Sequence, residues 1–294
     1  MQFFLALLVD GALAGVVYAV VALAFVIVYK ASRIVNFSLG EWVMLGSRLT
    51  AAGLHQLGWS LAGATGGACF GMLGFAVVWN RLVLRRLAGR PLISLIMVTL
   101  GLGMVMRGGS ALAFRGIPGT IPLPLAGEPL DAWGIQIPTD KLLAAAVAAV
   151  AITVVTWLFQ RCRVGLALRA VADDQEAAMA VGIDLDRYFS ITWALAGVVS
   201  VLGGILWTAT SGGGFGLILL GLRVFPIVVI GGLDSLPGCI VGALVVGILE
   251  SLIGGYLDPV LGGGFSSVTS YLALIVMLYA RPTGLFGRPA VERV

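Results

Sequence analysis

Apolar residues in this chain gather into long runs instead of alternating with polar ones at a period of two or 3.6. Such runs fit helices surrounded by lipid or by other helices, because a helix apolar on every side has no face to give to water. Phe3 to Tyr29 is the first, interrupted only by Asp10. With no basic residue before it and no small-residue cleavage site, it reads as a retained span. Leu57 to Trp79, Leu92 to Phe114, Leu142 to Phe159, Phe189 to Thr210, Phe215 to Ile230, Cys239 to Tyr256 and Ser267 to Ala280 follow. Leu39 to His55 is weaker and either crosses the bilayer or dips into it and returns. The pattern predicts an all-α integral membrane protein with about eight or nine membrane segments, organised as one membrane domain over residues 1–294. Pro91 suits a helix start, and Pro226 should kink the helix that holds it.

Two polar intervals break the runs. Residues 115–140 carry prolines and glycines together with Glu128, Asp131 and Trp133, and suit an external loop. Residues 161–188 are the longest polar stretch, with Arg161, Arg163, Arg169 and Arg187 set among Asp173, Asp174, Glu176, Asp184 and Asp186. A charged island of that kind must lie outside the lipid. Inside it, Leu168 to Val181 predicts a short Ala-rich helix with Asp173 and Asp174 near its start and Gly182 as its stop. Ala170, Val171, Ala177, Ala178 and Val181 would give it a shallow apolar face. That face fits docking into a groove on a soluble partner, and equally a connecting helix lying on the membrane surface.

Motifs in the second interval and elsewhere along the chain resemble a known family. Glu176-Ala177-Ala178, three further residues and Gly182 resemble the EAA-x-x-x-G loop of ATP-binding-cassette importer permeases, although the later I-x-L-P element is absent. Asn36-Phe37-Ser38-Leu39-Gly40-Glu41, Gly231-Gly232-Leu233-Asp234-Ser235-Leu236-Pro237-Gly238, and Arg281 to Pro289 are similar to elements of the branched-chain amino-acid, or Liv-type, permeases. The resemblance implies a short cytoplasmic coupling helix that sits in a cleft of the ATPase, with Arg169, Asp173, Asp174, Glu176, Ala177, Ala178 and Gly182 as the coupling residues. It implies a second homologous permease, two cytoplasmic ATPase subunits that hold ATP and Mg, and a periplasmic substrate-binding protein. The expected setting is the bacterial inner membrane with a cytoplasmic C-terminus. The expected cargo is a branched-chain amino acid or, as in related permeases, urea, a short amide or an aromatic acid.

Composition agrees with the pattern: 60% of residues are hydrophobic and 11% are charged, against about 25% in soluble domains. Forty-two glycines suit close helix approach. The net charge of +4 is explained by basic residues gathered on one side, with no call for nucleic acid. Lys30, Arg33, Arg81, Arg85, Arg86, Arg90, the four arginines of the polar stretch, Arg281, Arg288 and Arg293 fall on the expected cytoplasmic side. Only Arg115 and Lys141 fall outside, and Arg48, Arg107 and Arg223 stand within or at the ends of spans. The lysines lack the Walker A context, so ATP hydrolysis belongs to partners, and no cofactor is expected in this chain. A single histidine, His55, and three unpatterned cysteines, Cys69, Cys162 and Cys239, point to no metal site, disulfide or catalytic group. Arg223 and Glu250 are placed to pair across adjacent helices or to contact the pathway. Arg107 is expected to snorkel to the interface, Asp10 to snorkel or meet backbone, and the tryptophans to form interfacial belts. A stand-alone secondary transporter or channel, using Glu250 as a proton-linked carboxylate, is the rival reading.

Overall fold

The computed structural model describes residues 1–87, 90–124, 127–132 and 134–287. Trp133, Arg288, Pro289 and Arg293 lie outside them. The helices are α1 (Gln2–Ser32), α2 (Leu39–His55), α3 (Leu61–Leu82), α4 (Leu92–Ala113), α5 (Thr139–Arg161), α6 (Arg163–Asp173), α7 (Gln175–Ala180), α8 (Leu185–Ser211), α9 (Leu217–Gly231), α10 (Leu236–Tyr256), α11 (Asp258–Leu261) and α12 (Thr269–Ala280). Six of them, α1, α3, α4, α5, α8 and α10, are long and apolar enough to cross a membrane, while α9 and α12 are shorter apolar helices. The protein is thus a helical, multi-pass membrane protein. The 115–140 interval also holds a small hairpin, in which β1 (Leu130–Ala132) pairs antiparallel with β2 (Ile135–Ile137) and Leu130 faces Ile137. Its last residues already belong to α5.

The core forms around α1, whose residues from Val17 to Val28 are all 2% exposed or less. A helix apolar all round is stable only when enclosed, and α5, α8, α9 and α10 surround it. The seam with α10 depends on small residues: a Cβ at Gly15 would come within 2.9 Å of Leu244 Cα, and one at Gly247 within 2.7 Å of Gly15 Cα. Without a hydrophobic force between helices in lipid, such close backbone approach supplies the attraction through van der Waals contact. Trp42 and Trp193 stack in this interior, with ring centroids 5.4 Å apart, and each is 1% exposed. These two therefore pack the core instead of an interfacial belt, whereas Trp59 and Trp157 are about half exposed.

Contacts along the helices fix their relative directions. Tyr18 stacks on Trp207, and the α8 glycine Gly203 abuts Val21, so α1 and α8 run antiparallel. Asn80, near the end of α3, bonds Ser190 near the start of α8 at 2.7 Å, so α3 is antiparallel to α8 as well. The α2 residues Gly46 and Ser47 meet Val201 and Thr208 in α8, which sets α2 parallel to α8. Hence α2 starts on the side of the bundle where α1 stops, with Phe37 just before it packed on the same Phe225 ring as Phe25 of α1, and finishes at the opposite end, where His55 Nε2 lies 2.8 Å from the Thr120 carbonyl. It runs through the bundle and does not turn back.

Candidate functional site

The long polar stretch folds into two helices, not one. Asp174 leaves helical geometry (φ −153°, ψ 112°) and its carboxylate accepts from the N–H groups of Glu176 and Ala177 at 2.9 and 3.0 Å. An aspartate satisfies in this way two N–H groups that the start of a new helix leaves without a backbone acceptor. The expected helix over 168–181 therefore divides at Asp174 into α6 and α7. Gly182, at φ +87°, ends the second piece in the left-handed region that glycine enters without strain, and its N–H donates to Met179 O at 2.9 Å. Asp184 then caps α8 by accepting from Asp186 and Arg187 N–H.

This division also redistributes the apolar face. Val171 and Ala178 point inward at 1% and 3% exposure, while Ala177, Met179, Ala180 and Val181 are exposed, Val181 at 77%. Met179 was not legible as part of the surface from its spacing. Glu176 is exposed beside the patch, and Arg169 donates to the Gln160 carbonyl at 3.2 Å. The unit is anchored to the bundle by Arg33, which leaves α1 in the left-handed region (φ 58°) and donates to Ala172 O at 3.1 Å. Just beyond the unit, Arg85 pairs with Asp186 in the first turn of α8 at 2.8 Å. A cavity of about 210 Å³, lined in part by Ser32, Asn80, Arg85, Gln175, Asp186 and Trp193, lies beneath it.

The first motif builds the entry to α2. Asn36 accepts from the Ser38 N–H at 3.1 Å and from its hydroxyl at 2.7 Å, a side-chain turn that reverses the chain where α1 has ended. Gly40 lies so close to α9 that a Cβ on Gly221 would come within 2.7 Å of its Cα. Glu41, 6% exposed in the first turn of α2, accepts from Arg107 NH2 of α4 at 2.8 Å. The Arg107 side chain is thus held by a carboxylate. Asp10 similarly meets Lys141 of α5 at 2.5 Å.

Glu250 and Arg223 do not form a direct ion pair. Tyr18 intervenes, its hydroxyl donating to Glu250 Oε2 at 2.6 Å, and Arg223 is within electrostatic reach of both while donating to Ser267 Oγ at 3.1 Å. Glu250 Oε1 is buried with no protein partner. A further buried cation, Arg48, went unread as a site in the sequence: it is 7% exposed, donates to Ile117 O at 3.0 Å and lies 4.6 Å over the Phe215 ring. The three cysteines are all free.

The arrangement is that of an apolar bundle with charges held inside it and a polar two-helix connection at one end. Known proteins match it along nearly its whole length. The branched-chain high-affinity permease protein LivH of Escherichia coli (strain K12) is 28% identical over 320 residues, covering 99% of this chain and 98% of LivH. The corresponding protein BraD of Pseudomonas aeruginosa is 29% identical over 304 residues, covering 98% of this chain and 97% of BraD. Among solved structures, PsaBC from Streptococcus pneumoniae in complex with Fab superposes with a TM-score of 0.49 at 16% identity, over 93% of this chain and 91% of that one. The family model described as the branched-chain amino acid transport system / permease component matches residues 7–280, so the chain belongs to that family of permeases.

Proposed function

We propose that this chain is the transmembrane subunit of an ATP-driven importer and forms the translocation pathway for a branched-chain or related amino acid. Within family membership, the observation that carries the mechanism is the α6–α7 unit. It exposes Ala177, Met179 and Val181 at the bundle end while Arg33, at the end of α1, donates to Ala172 O of α6. A small apolar patch on a capped helix, bonded to the end of a long membrane helix, suits a coupling helix seated in a groove of an ATPase. Closure of two ATPase subunits, which hold the ATP and Mg, would press on α7 and rock α1 and α8 between inward-open and outward-open arrangements.

The α6–α7 end collects Lys30, Arg33, Arg81, Arg85, Arg86, Arg161 and Arg163, and the positive-inside rule makes that end cytoplasmic. With α2 running through the bundle, helices α1–α5, α8–α10 and α12 then make nine crossings of the bacterial inner membrane. The N-terminus lies outside, the C-terminus lies in the cytoplasm, and the 115–140 loop faces the periplasm, where a substrate-binding protein delivers cargo. A second homologous permease completes the pathway.

The test is ATP hydrolysis and subunit co-purification in the complex reconstituted with its ATPases, comparing the wild type with Glu176→Arg and Gly182→Trp. Loss of binding-protein-stimulated hydrolysis in the variants, with the permease still folded, supports the coupling role. Solute transport by the chain alone, unaffected by either change, would establish instead a secondary transporter using Glu250.

A further inference from the structure

Arg107 stands well inside α4, about 22 Å along the helix from Leu92 and about 9 Å from Ala113 at 1.5 Å per residue. Its side chain is nonetheless 55% exposed, while the Glu41 carboxylate that holds it is only 7% exposed. Met104 and Leu100, three and seven residues earlier on the same stripe, are 75% and 42% exposed. A guanidinium has five N–H donors in a flat fork, and the Glu41 contact engages NH2. Facing hydrocarbon, the remaining donors would be costly, so ionisable groups at this depth turn toward a water-filled path or another polar group. Next to Arg107 in the chain, Gly108 has open space where a side chain would project.

Resting on the importer reading above, we propose that Arg107 is the anchor for the substrate's α-carboxylate within the pathway. Glu41 serves as its positioning residue and as the acceptor for the substrate's α-ammonium group. The chemistry matches a zwitterionic amino acid. A planar guanidinium binds a carboxylate through paired hydrogen bonds, the buried carboxylate behind it offers acceptors to an ammonium group, and the exposed Met104 and Leu100 give an aliphatic side chain an apolar wall. The ion pair also keeps Arg107 neutralised and oriented when no cargo is present. The stripe of α4 bearing these residues then faces the pathway rather than lipid.

Uptake of radiolabelled leucine into proteoliposomes holding the full complex, with binding protein and ATP, tests this at matched amounts of co-purified complex. Arg107→Gln and Arg107→Lys are each expected to lower uptake at least about tenfold, the lysine because it keeps the charge and loses the fork. The swapped pair Glu41→Arg with Arg107→Glu separates anchoring from structure. It preserves opposite charges between α2 and α4 but moves the guanidinium behind the carboxylate, and uptake is expected to stay low. Uptake restored by the swap to within about twofold of wild type would make the pair structural and overturn the proposal. If the swap fails to assemble, the lysine variant decides: wild-type uptake by Arg107→Lys refutes carboxylate anchoring, and a tenfold loss supports it. A wild-type complex without ATP-dependent uptake would remove the importer reading itself, a result independent of the variants.

Discussion

At the scale of single residues, the charges inside the bundle were visible as types and invisible as partners. Glu41, Arg107, Arg223 and Glu250 each stand out in apolar runs, but Glu41 meets a residue sixty-six positions away and Glu250 meets Tyr18 across 232 positions. Nothing local encodes such meetings, and Tyr18 in an apolar run reads as packing. Its hydroxyl is the one protein hydrogen bond to the Glu250 carboxylate among the described residues. Tyr18→Phe should therefore cost about 1–3 kcal/mol, the penalty for leaving a buried polar group short of a partner, measured as a lower midpoint in detergent melts. Glu250→Gln should be milder, because a neutral amide is cheaper to bury than a carboxylate. Asp258 gives a pH prediction outside the spans. Hydrogen bonds from the Ser266 hydroxyl and backbone N–H hold its carboxyl below the usual range. A lowered folded-state pKa makes its stabilisation complete above the ordinary carboxylate pKa of about 4 and lost as pH falls through the depressed value. Ser266→Ala should flatten the part of the melting-temperature decline that wild type shows between about pH 5 and 3, since the contact that favours the charged form is gone.

At the scale of elements, the apolar runs located the long helices to within a few residues because lipid and close packing both select uninterrupted apolarity. The polar connection was harder. Residues 168–181 are rich in helix formers with no Gly or Pro, yet the chain breaks at Asp174, where a side chain competes with the backbone for its own N–H groups. Propensity registers this competition only weakly, so the position of Asp174 read as a helix start while the separate helix before it did not. Asp174→Ala should cost about 1 kcal/mol of local stability through loss of the cap. On the coupling reading it should also weaken ATPase co-purification more than it lowers the global melting midpoint. Val181→Asp is the complementary change: on an exposed side chain it should leave the melt within about 0.5 kcal/mol while charging the proposed docking patch. Equal loss of stability and of ATPase binding in both variants would mean that α7 supports the bundle instead of a partner. The α1–α10 seam predicts the opposite behaviour. Gly247→Val places a branched side chain against Gly11 and Gly15 backbone and should destabilise by about 1–3 kcal/mol or more, read in the same melts.

At the scale of the whole molecule, orientation follows from joining contacts that no single helix shows. The end of α1 is tied to α6 through Arg33, the connection after α3 is tied to the start of α8 through Arg85, and α2 leaves from that same end. Sequence patterning left Leu39 to His55 open because α2 is only seventeen residues long and carries Glu41, Arg48 and His55, all of which count against a span. Inside the bundle Glu41 and Arg48 are covered by Arg107 and Phe215, and His55 stands exposed at the end of the helix, so a segment too polar for lipid is admissible when protein surrounds its charges. On the proposed placement of the basic end in the cytoplasm, the N-terminus and the α2–α3 turn would face outward. Single cysteines at Gln2, Trp59 and Arg86, introduced after Cys69, Cys162 and Cys239 are replaced, should then divide under a membrane-impermeant thiol reagent. Gln2 and Trp59 react in intact spheroplasts and Arg86 only after permeabilisation. A segment that dips and returns instead moves the N-terminus inside while leaving Trp59 outside. Protection at Gln2 with labelling at Trp59 would therefore overturn the nine-crossing arrangement, and with it the assignment of α2 as the helix that carries Glu41 into the pathway from the cytoplasmic end.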